Sequence, residues 1–63
     1  MKYKIEIWVY GTIRDVYESE NIEGIYTWYK DRWQEIYEFD GCTFFVFENK
    51  KEIPYKDLIK YGF

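Results

Sequence analysis

The chain has 63 residues, a formal charge of −3, eight Tyr, five Phe, three Trp, one cysteine and no histidine. That length serves one domain spanning residues 1–63, which on folding covers only about 60% of the surface its unfolded form exposes, and the lone Cys42 excludes an internal disulfide as a staple. Without histidine or a cysteine cluster no metal centre and no cofactor is expected; the commonest general base is also missing, so no catalytic residue is assigned and the chain is read as a binding protein, not an enzyme.

Residues 3–10 alternate. Tyr3, Ile5, Ile7 and Val9 fall on one face and Lys4, Glu6, Trp8 and Tyr10 on the other, which predicts a strand. Gly11 offers a turn, and residues 12–18 read as a second, weaker strand of a hairpin. A two-residue turn at Tyr10-Gly11 places Arg14 and Val16 on the Ile5/Ile7 face; a three-residue connection places Ile13 and Tyr17 there, which burial favours. One residue of slip exchanges the faces, so the register stays open.

Over residues 20–38 the period changes. Ile22, Ile25, Tyr26, Tyr29, Trp33, Ile36 and Tyr37 recur at three- and four-residue steps and share an arc of about 120°, the width of a core-facing helix. Ser19 or Asn21 suits its N-cap, and Gly24 costs roughly 1 kcal/mol inside it relative to alanine. The rival is a hairpin with strands over 25–29 and 33–39, because good helix formers are few there. Asp40-Gly41 ends either element. Residues 42–47, Cys-Thr-Phe-Phe-Val-Phe, are apolar on both faces and read as a central strand. A turn over 48–51, a short strand at Glu52-Ile53 stopped by Pro54, and one or two helical turns over 55–61 closed by Gly62 complete the chain. The order is ββαββ: an α+β fold with a four-stranded antiparallel sheet and one helix across one face. This pattern resembles small phage and mobile-element accessory proteins with a hairpin, a helix and a second hairpin. The residues that carry the resemblance are Tyr10-Gly11, the Tyr26–Trp33 helix core, Asp40-Gly41 and Tyr61-Gly62-Phe63. Alanine is absent, Leu58 is the only leucine, and residues with A/T-rich codons dominate, in keeping with an AT-rich genome of that kind.

No apolar run approaches the ~18 residues that span a bilayer, the start Met1-Lys2-Tyr3-Lys4 does not read as a signal peptide, and a lone cysteine suits a reducing cytoplasm. The acids concentrate in the middle: Glu18, Glu20, Glu23, Asp31, Glu35, Glu38 and Asp40 against Lys30 and Arg32. A solvated helix surface explains most such runs; a face for a basic partner is the functional alternative. Cys42 reads as a small core residue. If the helix covers one sheet face, the other is bare, with Trp8, Tyr10 and either Phe44 plus Val46 or Phe45 plus Phe47 upon it. Exposed apolar patches mark interfaces, and Trp and Tyr are enriched at binding hot spots. The expectation is a protein-binding module, an inhibitor of a host protein such as a defence nuclease. Its candidate contacts are Trp28, Asp31, Glu35 and Glu38 on the helix, and Trp8 and Tyr10 on the sheet. Two alternatives stand beside it: a structural homodimer, and single-stranded nucleic acid stacked on the sheet aromatics, with Lys2, Lys4, Arg14, Lys50, Lys51, Lys56 and Lys60 as the available cations.

Overall fold

The computed structural model describes residues 2–37 and 40–63, with the side chains of residues 35 and 36 outside that description. Strands β1 (Tyr3–Val9) and β2 (Thr12–Ser19) are followed by helix α1 (Ile22–Arg32), a π-helical turn (Trp33–Tyr37), strands β3 (Cys42–Glu48) and β4 (Lys51–Glu52), helix α2 (Tyr55–Leu58) and a 3₁₀ turn (Ile59–Tyr61). The sheet is antiparallel in the order β2-β1-β3-β4. The ββαββ architecture read from the sequence is therefore the one adopted. Among the described residues no helix is long and apolar enough to cross a membrane.

The first hairpin takes neither of the two expected registers. Its turn is the two-residue one, with Tyr10 at φ 50° and Gly11 at φ 81°, a primed turn whose twist matches the strands. The pairing then shifts between Ile7 and Trp8: Trp8 faces Ile13, but Ile7 faces Asp15. Arg14 is the extra residue of a β-bulge. The bulge returns Tyr17 to the face of Ile5, as burial favours, yet leaves Ile13 opposite Trp8 on the other face. A tight turn and a Tyr17 that shares the face of Ile5 are compatible only through this insertion.

Helix α1 replaces the rival hairpin. It begins at Ile22, two residues later than expected, because the Asn21 side chain accepts the Gly24 N–H at 2.8 Å while the Ser19 hydroxyl accepts the Asn21 N–H at 3.3 Å. Both proposed cap residues thus contribute. They also account for Gly24, where a Cβ would collide with the Ser19 hydroxyl. The α-helical hydrogen bonding ends at Arg32, and the wider π turn carries the chain on to Tyr37.

The core lies between the sheet and the helices. Ile5, Ile22, Ile25, Val46 and Leu58 form one buried cluster; Ile7, Val9 and Tyr37 form a second. Phe44 and Trp28 pack against both and join them. Phe44 is the hub of an aromatic web, with ring centroids 4.6 Å from Tyr29, 5.2 Å from Trp33, 6.2 Å from Tyr55 and 6.1 Å from Phe63. Large rings thus do in a short chain what many aliphatic residues do in a longer one. Cys42 is half-buried against the second cluster. β4 is Lys51–Glu52, one residue earlier than expected, because the turn is only Asn49-Lys50, both at positive φ.

Candidate functional site

The side chains of the sheet separate by register. Tyr3, Ile5, Ile7 and Val9 of β1, Asp15, Tyr17 and Ser19 of β2, and Cys42, Phe44, Val46 and Glu48 of β3 share the face under α1. Lys4, Glu6, Trp8, Ile13, Val16, Glu18, Thr43, Phe45, Phe47 and Glu52 share the opposite face, over which no element of the described chain lies. Of the two alternatives for β3, Phe45 plus Phe47 is the outward pair. Ile13 and Val16 each keep 45% of their surface accessible.

Three polar groups of this open face, those of Lys4, Glu6 and Trp8, are satisfied by one another. The Glu6 carboxylate accepts the Trp8 indole N–H at 3.1 Å and pairs with the Lys4 ammonium at 3.0 Å. Burial by itself raises the Glu6 carboxyl; the hydrogen bonds from Lys4 and Trp8, with the charge of Lys4, outweigh it and hold the group below its ordinary value. The Lys4 ammonium also lies 5.1 Å from the centroid of the Phe47 ring, and Trp8 meets Phe45 edge-on at 6.1 Å. The result is a patch of Trp8, Ile13, Val16, Phe45 and Phe47 crossed by one internal ion pair. Glu18 and Glu52 stand at its two edges, and Lys2, Lys4, Glu18, Phe47 and Lys50 line a groove of about 180 Å³ at one corner.

On the covered face the bulge turns Asp15 inward. Its carboxylate accepts the Tyr37 hydroxyl at 3.4 Å and pairs with Arg32 at 3.7 Å, and its other oxygen accepts the Val16 N–H at 3.1 Å. Burial, and then the charge of Asp15, push the Tyr37 hydroxyl above its ordinary value.

Of the candidate contacts expected on the helix and on the sheet, Trp28 and Asp31 lie on α1, Trp8 on β1 and Tyr10 in the turn after it. Trp8 is on the open face. Tyr10, 75% exposed, occupies the hairpin turn beyond it, and its ring covers Gly41 so closely that a Cβ there would strike it. Trp28 lies on α1 and faces β2. It is half-buried, stacks on Tyr17 at 5.2 Å with the planes 5° apart, and has the Arg32 guanidinium 5.3 Å from its ring. Asp31 is exposed on the outer side of α1, on the far side of the molecule from Trp8, among Glu23, Thr27 and Lys30. Glu38 and the side chain of Glu35 lie outside the described residues. Ile13 and Val16 were missed because their face depends on the bulge, which no local pattern announces. No protein-family model matches the chain, and no curated protein or solved structure matches it either.

Proposed function

We propose that this chain is a non-catalytic protein-binding module whose contact surface is the open face of the sheet. The observation that carries the reading is the patch of Trp8, Ile13, Val16, Phe45 and Phe47, uncovered and yet with the Trp8 indole, the Glu6 carboxylate and the Lys4 ammonium already paired. A partner that buries this face strands neither the Trp8 indole nor the Glu6 carboxylate, and so avoids the main cost of covering a polar surface. An inhibitor that acts by occluding a host protein needs only such a surface.

Two observations set this reading above its rivals. The accessible surface, 4464 Å², is close to the roughly 4,400 Å² expected of a folded monomer of this mass, so a second copy is not needed to complete the fold. Nucleic acid is disfavoured because Lys4, the cation among the open-face aromatics, is bound to Glu6, while Lys2 is bound to Glu48, and free cations are what phosphate binding draws on.

The test is capture of partners from nuclease-treated lysate of the source cell, with wild type beside the Ile13→Glu/Val16→Glu double variant and Asp31→Lys. A stoichiometric protein held by wild type and Asp31→Lys but lost by the double variant supports the reading. A protein held equally by all three, or lost only with Asp31→Lys, moves the contact to the helix. Short nucleic acid recovered only when nuclease is omitted favours the stacking alternative.

A further inference from the structure

Every residue of β2 beyond Ile13 owes its face to the bulge. The hairpin turn pairs Val9 with Thr12 and Trp8 with Ile13. Continued without a bulge, that ladder would pair Ile7 with Arg14, Glu6 with Asp15, Ile5 with Val16 and Lys4 with Tyr17. One residue of slip exchanges the faces of a strand, so the two registers present different surfaces. The plain register puts Asp15 and Tyr17 on the open face. The bulged register, which the chain adopts, puts Val16 and Glu18 there. Ile13 faces outward in both. Apolar burial distinguishes the two only weakly: one register covers Val16, the other covers Tyr17, which still keeps 37% of its surface exposed.

Polar contacts between the layers distinguish them sharply. The position opposite Ile7 lies against Tyr37 and Arg32 on the helix side. In the bulged register Asp15 occupies it. One carboxylate oxygen accepts the Tyr37 hydroxyl at 3.4 Å and lies 3.7 Å from the Arg32 guanidinium; the other accepts the Val16 N–H at 3.1 Å. In the plain register Arg14 would occupy it, set against Arg32 with like charge. The hydroxyl of the buried Tyr37 would then lose its acceptor. The half-exposed Arg32 adds little to the sum, so the hydroxyl bond is the stronger discriminator. Asp15 therefore ties the bulged backbone, through Val16, to the helix layer, through Tyr37. The π turn Trp33–Tyr37 presents Tyr37 to it. A π turn and a bulge each take one residue more than the regular element, and the bond from Tyr37 to Asp15 is where the two insertions meet.

We infer that Asp15 and Tyr37, although they lie on the covered side of the sheet, are positioning residues for the open face: their bond holds the bulged register of β2 and so sets Val16 opposite Glu6. Without that bond β2 slides by one residue, Val16 turns under the helix, and position 15 takes its place in the patch. The consequence for binding rests on the open-face reading. The register does not, and it is measured separately.

The test reads cross-strand proton contacts by nuclear magnetic resonance. Wild type is expected to show Glu6 against Val16. Asp15→Ala is expected to replace that contact with one from Glu6 to position 15. Asp15→Asn keeps an acceptor for both the Tyr37 hydroxyl and the Val16 amide, and is expected to retain the wild-type pairing. Deletion of Arg14 removes the extra residue, so that the turn alone brings Val16 opposite Glu6; in that shortened chain Asp15→Ala is expected to leave the pairing unchanged. Partner capture should follow the pairing: lost with Asp15→Ala in the full chain, kept with Asp15→Asn and with Asp15→Ala in the shortened chain. Should Asp15→Ala not fold, Tyr37→Phe tests the same bond, with exchange broadening of the amides of residues 14–19 as the expected result. Retention of the contact between Glu6 and Val16 in Asp15→Ala, slippage in Asp15→Asn, or sharp wild-type amides in Tyr37→Phe would each overturn the inference. If the register follows Asp15 but wild type captures no protein, or captures one regardless of Ile13 and Val16, the open-face reading fails and the assignment of the register stands.

Discussion

The two faces of the sheet are built from the same kinds of side chain and differ in what lies over them. Along β3, Phe44 and Val46 point to one side and Phe45 and Phe47 to the other. On the first side Ile5, Ile7 and Val46 have no accessible surface; on the second Ile13 and Val16 keep nearly half of theirs. Apolar content alone therefore does not decide burial. One helix and a C-terminal turn can seal one face of a four-stranded sheet, and the connections of this chain send both to the same side. Each face also carries one carboxylate, handled differently. Asp15, under the helix side, receives a tyrosine hydroxyl and an arginine from the elements that cover it. Glu6, on the bare side, is satisfied from its own strand by Lys4 and Trp8.

The largest test of this contrast uses adjacent residues. Phe44→Ala removes the hub of the covered face and is expected to cost about 3–5 kcal/mol in urea unfolding. Phe45→Ala removes one edge-on ring contact of the open face and is expected to cost about 1 kcal/mol. Equal losses would mean that the open face is as structural as the covered one, and the contrast would fail. Next, Asp15→Ala leaves the Tyr37 hydroxyl without its acceptor, for an expected loss of about 1–2 kcal/mol. Tyr37→Phe should take away most of that difference in a double-mutant cycle. The Arg32 side chain is half exposed, so its ion pair contributes little to the sum. The Ile13→Glu/Val16→Glu pair should change stability by no more than about 0.5 kcal/mol per site while abolishing partner capture. A cooperative unfolding midpoint displaced well beyond that would show these residues to be core.

The faces should also part on titration, with the smallest effects. Glu6 has a folded value held below 4.5, so its contribution is complete above the ordinary value and is lost as pH falls through the lower, folded one. Trp8 fluorescence should report that loss on the acid side, and Glu6→Gln should remove the transition. Tyr37 has a folded value above 10.0. Its contribution is complete below the ordinary value and disappears as pH rises through the higher one. Tyrosinate absorbance should place that event on the alkaline side, with Tyr37→Phe lacking it. An acid transition that survives Glu6→Gln would show that the open-face ion pair does not control Trp8.

Much of the fold was legible because its signals are local. The alternation of Ile5, Ile7 and Val9, the arc of Ile22, Ile25, Tyr29 and Trp33, and the two-sided apolarity of residues 42–47 are properties of short windows, set by how a backbone presents successive side chains. Caps at Asn21 and Gly62 are local as well. The candidate contacts were less legible. Tyr10 reads as a strand residue until the turn claims it, and Trp28 reads as a contact residue until Tyr17 stacks on it. Ile13 and Val16 look like either face until the register is known.

By itself, then, the sequence determined the types and order of the elements and the existence of a surplus of apolar side chains beyond what one helix can cover. Only the tertiary structure decided which of them stay exposed. It placed the bulge at Arg14, where a two-residue turn and a Tyr17 on the face of Ile5 can both be met only by inserting a residue, and it left β4 a two-residue edge that stops short of Pro54. Register and edges are relations between segments distant in the chain. Their energies come from the partner strand and the packed helix, and no window of one strand contains them.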